Sequence, residues 1–153
     1  MSKSKKIKNP RIISELKRIA AENNGLLLAD DVVERARPAG SPLHSHFLWD
    51  NTEAAHQFRL LQARNLINIA VEVIHADGEE REMQVFVSLK DDRANDGGGY
   101  RTTVDVMGNA GLRKQLLQQA LEDLEYFAEK YKNLKELAEV FKVIKRVVFR
   151  KKK

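Results

Sequence analysis

The sequence predicts a mainly helical α+β protein, in which a three-helix unit is followed by a central β-hairpin and then by a long amphipathic helix. Three observations predict this fold class. Apolar residues recur at three- and four-residue spacing in several segments, an Asp-Gly step separates two β-branched stretches, and neither Gly nor Pro interrupts residues 112–149. With 153 residues, 42% of them hydrophobic, the chain can form one domain or two small ones.

Four segments are expected along the chain. A basic disordered arm (1–9) precedes the helical unit with its hairpin (10–107), and a long helix (108–149) ends in a basic tail (150–153). The formal net charge is +5, but the two ends together contain 12 basic residues and no acid, so residues 12–141 carry a net charge of −7. The chain therefore combines an acidic body with two basic ends.

The first two helices are marked by their spacing and their breakers. The first begins at Pro10 and ends at Asn23-Asn24-Gly25, because Asn and Gly tolerate the left-handed conformation at a helix end. The second begins at Ala29 or Asp30 and is ended by Pro38. The positions expected to be buried are Ile12, Ile13, Leu16, Ile19, Ala20, Val32, Val33 and Ala36.

The third helix is expected over residues 51–68. Asp50 and Glu53 stand three residues apart, as in a capping box, and Trp49 is placed as a hydrophobic staple. The residues expected to be buried are Ala54, Ala55, Phe58, Leu61, Leu66 and Ile67.

Three short helices with a polar third helix are typical of a helix-turn-helix DNA reader. Arg suits guanine and Gln or Asn suits adenine, so the polar side chains of this helix could contact bases or phosphates. The alternative is an ordinary solvated helix face that binds protein or nothing. The side chains concerned are His56, Gln57, Arg59, Gln62, Arg64 and Asn65.

The segment 42–50 contains the only Trp and two of the four His residues. His44 and His46, with Asp50 and His56, could in principle bind a divalent metal ion, because imidazole and carboxylate are suitable ligands. Their spacing places no pair of ligands on one helical face. The sequence favours the alternative, in which the aromatic residues plug the helical unit, the histidines hydrogen-bond to backbone, and no metal or cofactor is bound.

The β-hairpin is expected from residues 67–74 and 82–89, joined by a turn at Asp77-Gly78, with a short third strand at 100–103. A hairpin after a helix-turn-helix unit is placed as a wing. Its tip is acidic, which would repel phosphate, so a structural or protein-facing role is expected. Residues 90–99 contain three consecutive glycines and are expected to be a flexible linker.

The C-terminal helix carries an apolar heptad seam that is longer than a short domain needs for its own core. Homo-oligomerisation through a coiled coil is one interpretation; the other is that the helix folds back on the rest of the chain. Asn133 could break it into two antiparallel helices. The oligomerisation residues are expected to be Leu117, Leu124, Phe127, Tyr131, Leu134 and Phe141, with Ala120 and Ala138 between them.

The two basic ends are expected to bind the phosphate backbone with salt-dependent, sequence-independent affinity. Some positive charge at a helix C-terminus is stabilising by itself, but seven cations in residues 142–153 exceed that need. The expected nucleic-acid-binding residues of the ends are Lys3, Lys5, Lys6, Lys8, Arg11, Lys145, Arg146, Arg150, Lys151, Lys152 and Lys153. From the third helix, Gln57, Arg59, Gln62 and Arg64 are added to this set.

Two stretches of the chain, LHSHFLWDNTEAAHQFRLLQARNLI and LRKQLLQQALEDLEYFAEKYKNLKELAEVFKVI, carry a family resemblance. The chain resembles a group of small uncharacterised proteins of bacteriophages and prophages. These share a Leu-His-x-x-Phe-x-Trp-Asp opening, an Ala-Ala-x-x-x-Arg-x-x-Gln-Ala-Arg-x-Leu-Ile helix and a Tyr- and Leu-rich terminal helix. The resemblance covers most of residues 26–144. It implies a phage or mobile-element setting and brings no activity with it.

The expected function is that of a non-enzymatic, phage-type nucleic-acid-associated protein with a DNA-binding role in regulation or packaging, acting in the cytoplasm of a bacterial host as a homo-oligomer. The alternative is a protein-interaction or assembly module whose basic tails only keep it soluble. No nucleophile elbow or supported carboxylate pair indicates an enzyme. Cysteine is absent, which excludes disulfides, and no apolar run approaches the roughly 18 residues of a membrane span.

Overall fold

The computed structural model describes residues 6–49, 52–95 and 97–152, without the side chains of residues 151 and 152. The chain divides into two compact units, Met1–Asn109 and Ala110–Lys153. The described residues are mainly helical, with two small antiparallel pairs of strands in the first unit. No helix among them is both long and apolar enough to cross a membrane.

Helices α1 (Pro10–Glu22) and α2 (Ala29–Ala36) form as predicted. The Asn9 side chain caps α1 by accepting a hydrogen bond from the backbone N–H of Arg11 at 3.0 Å. All eight positions predicted to be buried in these two helices are buried. Local periodicity was sufficient here, because each helix has a single apolar stripe.

Helix α3 (Glu53–Ile69) starts two residues later than predicted and buries a different face. The Thr52 hydroxyl caps it by accepting from the N–H of Ala55 at 3.2 Å. The predicted capping residue Asp50, and Asn51 after it, lie outside the described residues.

The buried stripe of α3 runs through Arg59, Leu60, Ala63, Leu66 and Ile67. Leu66 and Ile67 were predicted, but Phe58 and Leu61 keep 46% and 49% of their surface exposed, and Ala54 and Ala55 are not buried. The sequence of α3 contains two apolar stripes of similar strength. The stripe with the small Ala63 is the one that faces the core.

Strands β1 (Val71–Ala76) and β2 (Glu79–Gln84) form the predicted hairpin, with Val71 opposite Gln84 and Ala76 opposite Glu79. Asp77 and Gly78 both have positive φ angles, 54° and 77°, as a tight two-residue turn requires. The first strand begins later than predicted because α3 continues to Ile69.

The predicted third strand is present as β4 (Arg101–Thr102), and it pairs with β3 (Phe86–Val87) in a second sheet. The segment between them is not the expected flexible linker. It contains the short helix α4 (Lys90–Arg93), whose buried Asp92 holds Arg101 through two hydrogen bonds of 2.8 Å. A buried carboxylate that accepts two hydrogen bonds attaches this segment to the second sheet.

The core of the first unit lies between α1, α2, α3 and β3. Leu16, Val32, Ile67 and Phe86 are at its centre and are almost fully buried. Leu27, between α1 and α2, exchanges two backbone hydrogen bonds with Tyr100 just before β4. The connection between the first two helices is thereby joined to the second sheet.

The first unit ends with the short helix α5 (Thr103–Gly108), and the second unit is a helical hairpin of α6 (Ala110–Lys130) and α7 (Ala138–Lys152). The chain turns after Lys130 and makes one 3₁₀ turn, Lys135–Leu137, before α7. The C-terminal region is therefore broken around Asn133, which was one of the two predicted alternatives. The two helices run antiparallel, since Leu121 clusters with Ile144 and Val148, while Phe127 later in α6 contacts Phe141 earlier in α7 at a ring-centroid distance of 6.3 Å.

The predicted oligomerisation seam is not the buried face of this helical hairpin. Leu121, Ile144 and Val148 are its buried residues, and Phe141 is partly buried against them. The other five seam residues, Leu117, Leu124, Phe127, Tyr131 and Leu134, are all exposed. Among the described residues of the second unit, these five seam residues therefore stay partly open to solvent, although the Phe127 ring contacts that of Phe141 at a centroid distance of 6.3 Å.

The fixed position of loop 90–99 gives a test. A Cβ added at Gly99 would lie 2.5 Å from Leu26 Cδ1, and the φ angle of +157° disfavours other residues. We predict that Gly99→Ala lowers the free energy of unfolding by about 1–3 kcal/mol in urea denaturation. The matched control is Gly40→Ala, where an added Cβ meets nothing within 4 Å. Equal stability of the two variants would contradict the ordered loop.

Candidate nucleic-acid interface

The N-terminal lysines are engaged with the hairpin. Lys6 forms an ion pair with Glu82 of β2, and Lys8 Nζ lies 2.5 Å from the other oxygen of the same carboxylate. Between them, Ile7 forms a parallel bridge to Ala70 through backbone hydrogen bonds. Residues 6–9 therefore belong to the folded unit and do not form part of a disordered arm as predicted.

These contacts have an electrostatic cause. The hairpin tip is acidic, and the lysines neutralise one of its carboxylates. Hydrogen bonds from Lys6 and then Lys8 lower the pKa of Glu82 from 4.5 to about 2. Of the remaining predicted residues at this end, Arg11 is exposed on α1, while Lys3 and Lys5 lie outside the described residues.

The predicted reader helix α3 contributes less than expected. Arg59 is buried, and its Nη1 donates a hydrogen bond to the carbonyl of Leu48 at 3.3 Å. The Gln62 side-chain oxygen accepts from the N–H of Leu48 at 3.2 Å, so this residue also has a structural role. Both were predicted to bind nucleic acid; instead, both hold the segment before α3.

Trp49 organises this segment. Its N–H donates to the carbonyl of His44 at 3.1 Å, and the His44 ring stacks on it with a centroid distance of 5.0 Å. The guanidinium groups of Arg37 and Arg59 each lie 5.6 Å from the Trp49 ring centroid, close enough for cation–π attraction. His44 also hydrogen-bonds to the backbone carbonyl of Ala36 at 3.0 Å, as the structural interpretation predicted.

The histidines show no metal-binding arrangement among the described residues. No group of three His, Asp or Glu side chains is close enough there to hold an ion. His56 lies instead near Asp30, with an N–O separation of 3.9 Å. Asp50, the fourth ligand considered, lies outside the described residues.

The exposed face of α3 carries both polar and apolar side chains. Gln57 hydrogen-bonds to Glu53 at 3.4 Å, and Arg64 is exposed without a hydrogen bond or ion pair to another described residue. Phe58 and Leu61 are exposed on the same outer side. Arg64 is thus the one predicted cation of α3 that a phosphate could reach.

The second unit collects cations at one end of its helical hairpin. Because Leu121 packs with Val148 in an antiparallel pair, the start of α6 and the end of α7 lie at the same end. Residues 110–121 contain two basic residues and residues 143–153 contain six, with no acid in either range. We call this the cationic end; its members are Arg113, Lys114, Lys145, Arg146 and Arg150. The predicted binding residue Lys153 and the side chains of Lys151 and Lys152 lie outside the described part of the chain.

The cationic end borders on carboxylates of α6, because Lys145 and Arg146 are level with Asp123 and Glu122, whereas Arg113, Lys114 and Arg150 lie beyond them. Arg113, Lys114, Arg146 and Arg150 are exposed and make no ion pair with a described residue. The turn end of the helical hairpin, residues 122–142, has six acidic and four basic residues instead. The first turn of α6 also lacks an acid, so the positive end of its dipole adds to the positive potential.

Arg113 and Lys114 are functional candidates that the sequence analysis missed. They are more than 25 residues from the basic tail in sequence, and only the antiparallel packing of α6 and α7 brings them to the same end. The sequence contained a signal for them. The alternative with a break near Asn133 implies that residues equally far from the break on either side lie at the same level of an antiparallel helix pair.

Comparison of the chain with protein-family models, with curated proteins and with solved structures gives no match.

The Glu82 ion pairs predict a pH-dependent contribution to stability. The pKa of Glu82 is lower in the folded protein than its usual 4.5, so the contribution is complete above that pH and is lost as the pH falls towards about 2. Glu82→Gln should therefore lower the urea midpoint slightly at neutral pH and not at about pH 2. Glu79→Gln, in the same tip, is the control. A difference that does not change with pH would contradict the prediction.

Arg59→Ala and Arg64→Ala are a matched pair of variants that distinguishes a structural side chain from one on the exposed face of α3. Arg59→Ala removes a buried cation from Trp49 and from the Leu48 carbonyl, and should lower the free energy of unfolding by about 3 kcal/mol. Arg64→Ala, on the exposed face, should change it by less than about 0.5 kcal/mol. Urea denaturation followed by Trp fluorescence measures both; equal effects would contradict the assignment of Arg59 to the core.

Proposed function

We propose that the protein is a non-enzymatic, nucleic-acid-associated protein that holds the phosphate backbone through the cationic end of its helical hairpin. The supporting observation is that residues 110–121 and 143–150, which contain five basic residues and no acid, lie towards the same end of the helical hairpin. Such a surface gives salt-dependent, sequence-independent affinity, because bound phosphates release counterions.

The first unit has a supporting part in this proposal. Its order of three helices and a hairpin is that of a winged helix-turn-helix domain. However, α2 and α3 are connected by residues 37–52, where that motif has a turn of about 3–4 residues. With Arg59 buried, α3 offers Gln57 and Arg64 as polar contacts, so we assign base reading no leading role.

The hairpin is excluded from the proposed interface. Glu82 is neutralised by Lys6 and Lys8, but Asp77, Glu79 and Glu80 remain at the tip beside Arg81. A phosphate approaching this tip would meet like charge. The ion pairs of Lys6 and Lys8 also remove these two lysines from the set that can bind phosphate freely.

The setting that we propose is a bacteriophage or prophage protein acting in the host cytoplasm, in regulation or packaging. Residues 43–67 support this proposal through their resemblance to small phage proteins. Backbone binding without base reading fits a packaging or coating role better than recognition of one operator.

A second candidate function, an assembly module that binds protein, is favoured by a separate observation. Leu117, Leu124 and Val143 are exposed on the second unit although they are large and apolar. Contiguous exposed apolar surface is typical of interaction sites. The two functions are compatible, because the apolar residues and most of the cations lie on different parts of the helical hairpin.

The proposal is tested by a mobility-shift titration of the full chain with duplex and single-stranded DNA over a range of salt concentrations. Lys114→Gln with Arg146→Gln removes one cation from each helix at the cationic end. We expect weaker binding at every salt concentration, and a slope of log K against log salt that falls by roughly 2 in magnitude.

The matched control is Lys130→Gln with Lys135→Gln, which removes the same charge from the turn end. Its binding curves should follow those of the unchanged protein. Absence of binding at low salt would overturn the proposed function. Equal loss in both double variants would show that net charge, and not the cationic end, determines affinity.

A further inference from the structure

The exposed apolar residues of the second unit have a regular relation to its buried ones. In α6, Leu124 stands three residues after the buried Leu121; in α7, Val147 stands three after the buried Ile144 and Val140 four before it. Steps of three forward or four back rotate a position in the same sense around a helix. Each helix therefore has an exposed apolar row displaced to the same angular side of its buried row.

This common displacement puts both rows on one side of the helical hairpin. The two helices face each other and run antiparallel, so they are related by a two-fold axis perpendicular to the plane that contains them. Rotation about that axis leaves the sides of the plane unchanged, and equal displacements therefore meet on the same side. We call this surface the apolar face; its members are Leu117, Leu124, Tyr131, Val140, Val143 and Val147.

The second unit buries little without a partner. Its buried cluster has three members, Leu121, Ile144 and Val148, whereas the six residues of the apolar face remain exposed. Two amphipathic helices have too few neighbours to cover apolar stripes wider than their mutual contact. Four-helix bundles solve this problem by stacking two such hairpins.

Charge along the apolar face selects the occupant and its orientation. In α7, the row that contains Val143 begins with Glu139 at the turn end and finishes with Arg150 at the cationic end. A second copy placed antiparallel brings Glu139 of each chain opposite Arg150 of the other. A parallel copy would bring cation against cation. Glu139 is available for this contact, since its pairing with Lys142 at 2.8 Å is largely exposed to solvent and therefore weak.

The registers of the two helices agree with this arrangement. In α7, the midpoint between Glu139 and Arg150 lies beside Ile144, which is level with Leu124 in a register where Leu121 packs with Val148 and Phe127 with Phe141. In α6, Leu124 is also the midpoint between Leu117 and Tyr131. One two-fold axis through this level therefore satisfies the apolar row of α6 and the pairing of Glu139 with Arg150 in α7.

We infer that two copies of the chain associate through their apolar faces, with the helical hairpins antiparallel, to form a four-helix bundle. The interface is isologous, so that Leu117 of each copy faces Tyr131 of the other and Leu124 packs near the axis. Lys145 lies on the opposite side of α7 from this interface. The dimer therefore carries cations at both of its ends, and the inference does not depend on nucleic-acid binding.

The first test is the molar mass of the full chain in solution, measured by light scattering without nucleic acid. We expect the mass of two chains for the unchanged protein and of one chain for Leu124→Glu or Val143→Glu. Tyr126→Glu is the matched control, because Tyr126 is 69% exposed in α6 but lies off the apolar face, and it should remain a dimer.

Circular dichroism separates dissociation from unfolding. Leu124 and Val143 are exposed in the single chain, so both variants should keep most of their helix content. A monomeric unchanged protein would overturn the inference. So would a dimer that survives both substitutions, or one that Tyr126→Glu disrupts to the same extent.

The second test determines the relative orientation of the two copies by disulfide crosslinking. The chain contains no cysteine, so only the introduced cysteines can form a crosslink. Leu117→Cys and Tyr131→Cys are made separately, mixed, and oxidised. Antiparallel pairing predicts a disulfide-linked dimer in the mixture, since position 117 of one chain meets position 131 of the other. Each variant alone should crosslink poorly, because identical positions are about 20 Å apart across the axis. Efficient crosslinking of each variant with itself would overturn the antiparallel arrangement.

Discussion

Every long helix of this chain carries an apolar stripe that is costly to leave in water, and the two units remove their stripes to different extents. In the first unit, three helices and two small sheets surround one core, and Leu16, Val32, Ile67 and Phe86 are almost fully buried. In the second unit, two helices have only each other, and a row of large apolar residues stays exposed on one side. The proposed dimer follows from this difference in available neighbours.

The same packing divides the cations into two classes. Lys6, Lys8 and Arg59 are near carboxylates, carbonyls or an aromatic ring of the first unit, where they stabilise the fold. Arg113, Arg146 and Arg150 are exposed and form no ion pair with any residue that the structure describes. A basic residue is available to phosphate only if the fold gives it no closer partner. The count of basic residues at the chain ends therefore overestimated the number of N-terminal cations that are free of ion pairs. It also left out the exposed cations of α6.

Local signals predicted the elements well. The single apolar stripes of α1 and α2 and the positive φ angles required at Asp77 and Gly78 are properties of short stretches of chain. Prediction failed where two local solutions were nearly equal. Helix α3 has two apolar stripes, and the contacts of Trp49 with Arg37 and Arg59 accompany the choice of the stripe that buries Arg59. Residues 90–99 were predicted to be a flexible linker because local sequence does not reveal the ion pair that holds them. This pair joins Asp92 to Arg101, which lies outside the segment.

Most helices, the hairpin and the excess of positive charge at the chain ends follow from the sequence alone, because periodicity, turn chemistry and composition act over a few residues. The break near Asn133 was one of two alternatives that the sequence left open. Only the tertiary structure decided which charges remain free and which apolar row remains exposed. Both depend on the neighbours that folding brings from distant parts of the chain. Glu82 meets Lys6 across most of the first unit, and Arg113 lies towards the same end of the second unit as Arg150 only through the antiparallel packing of α6 and α7.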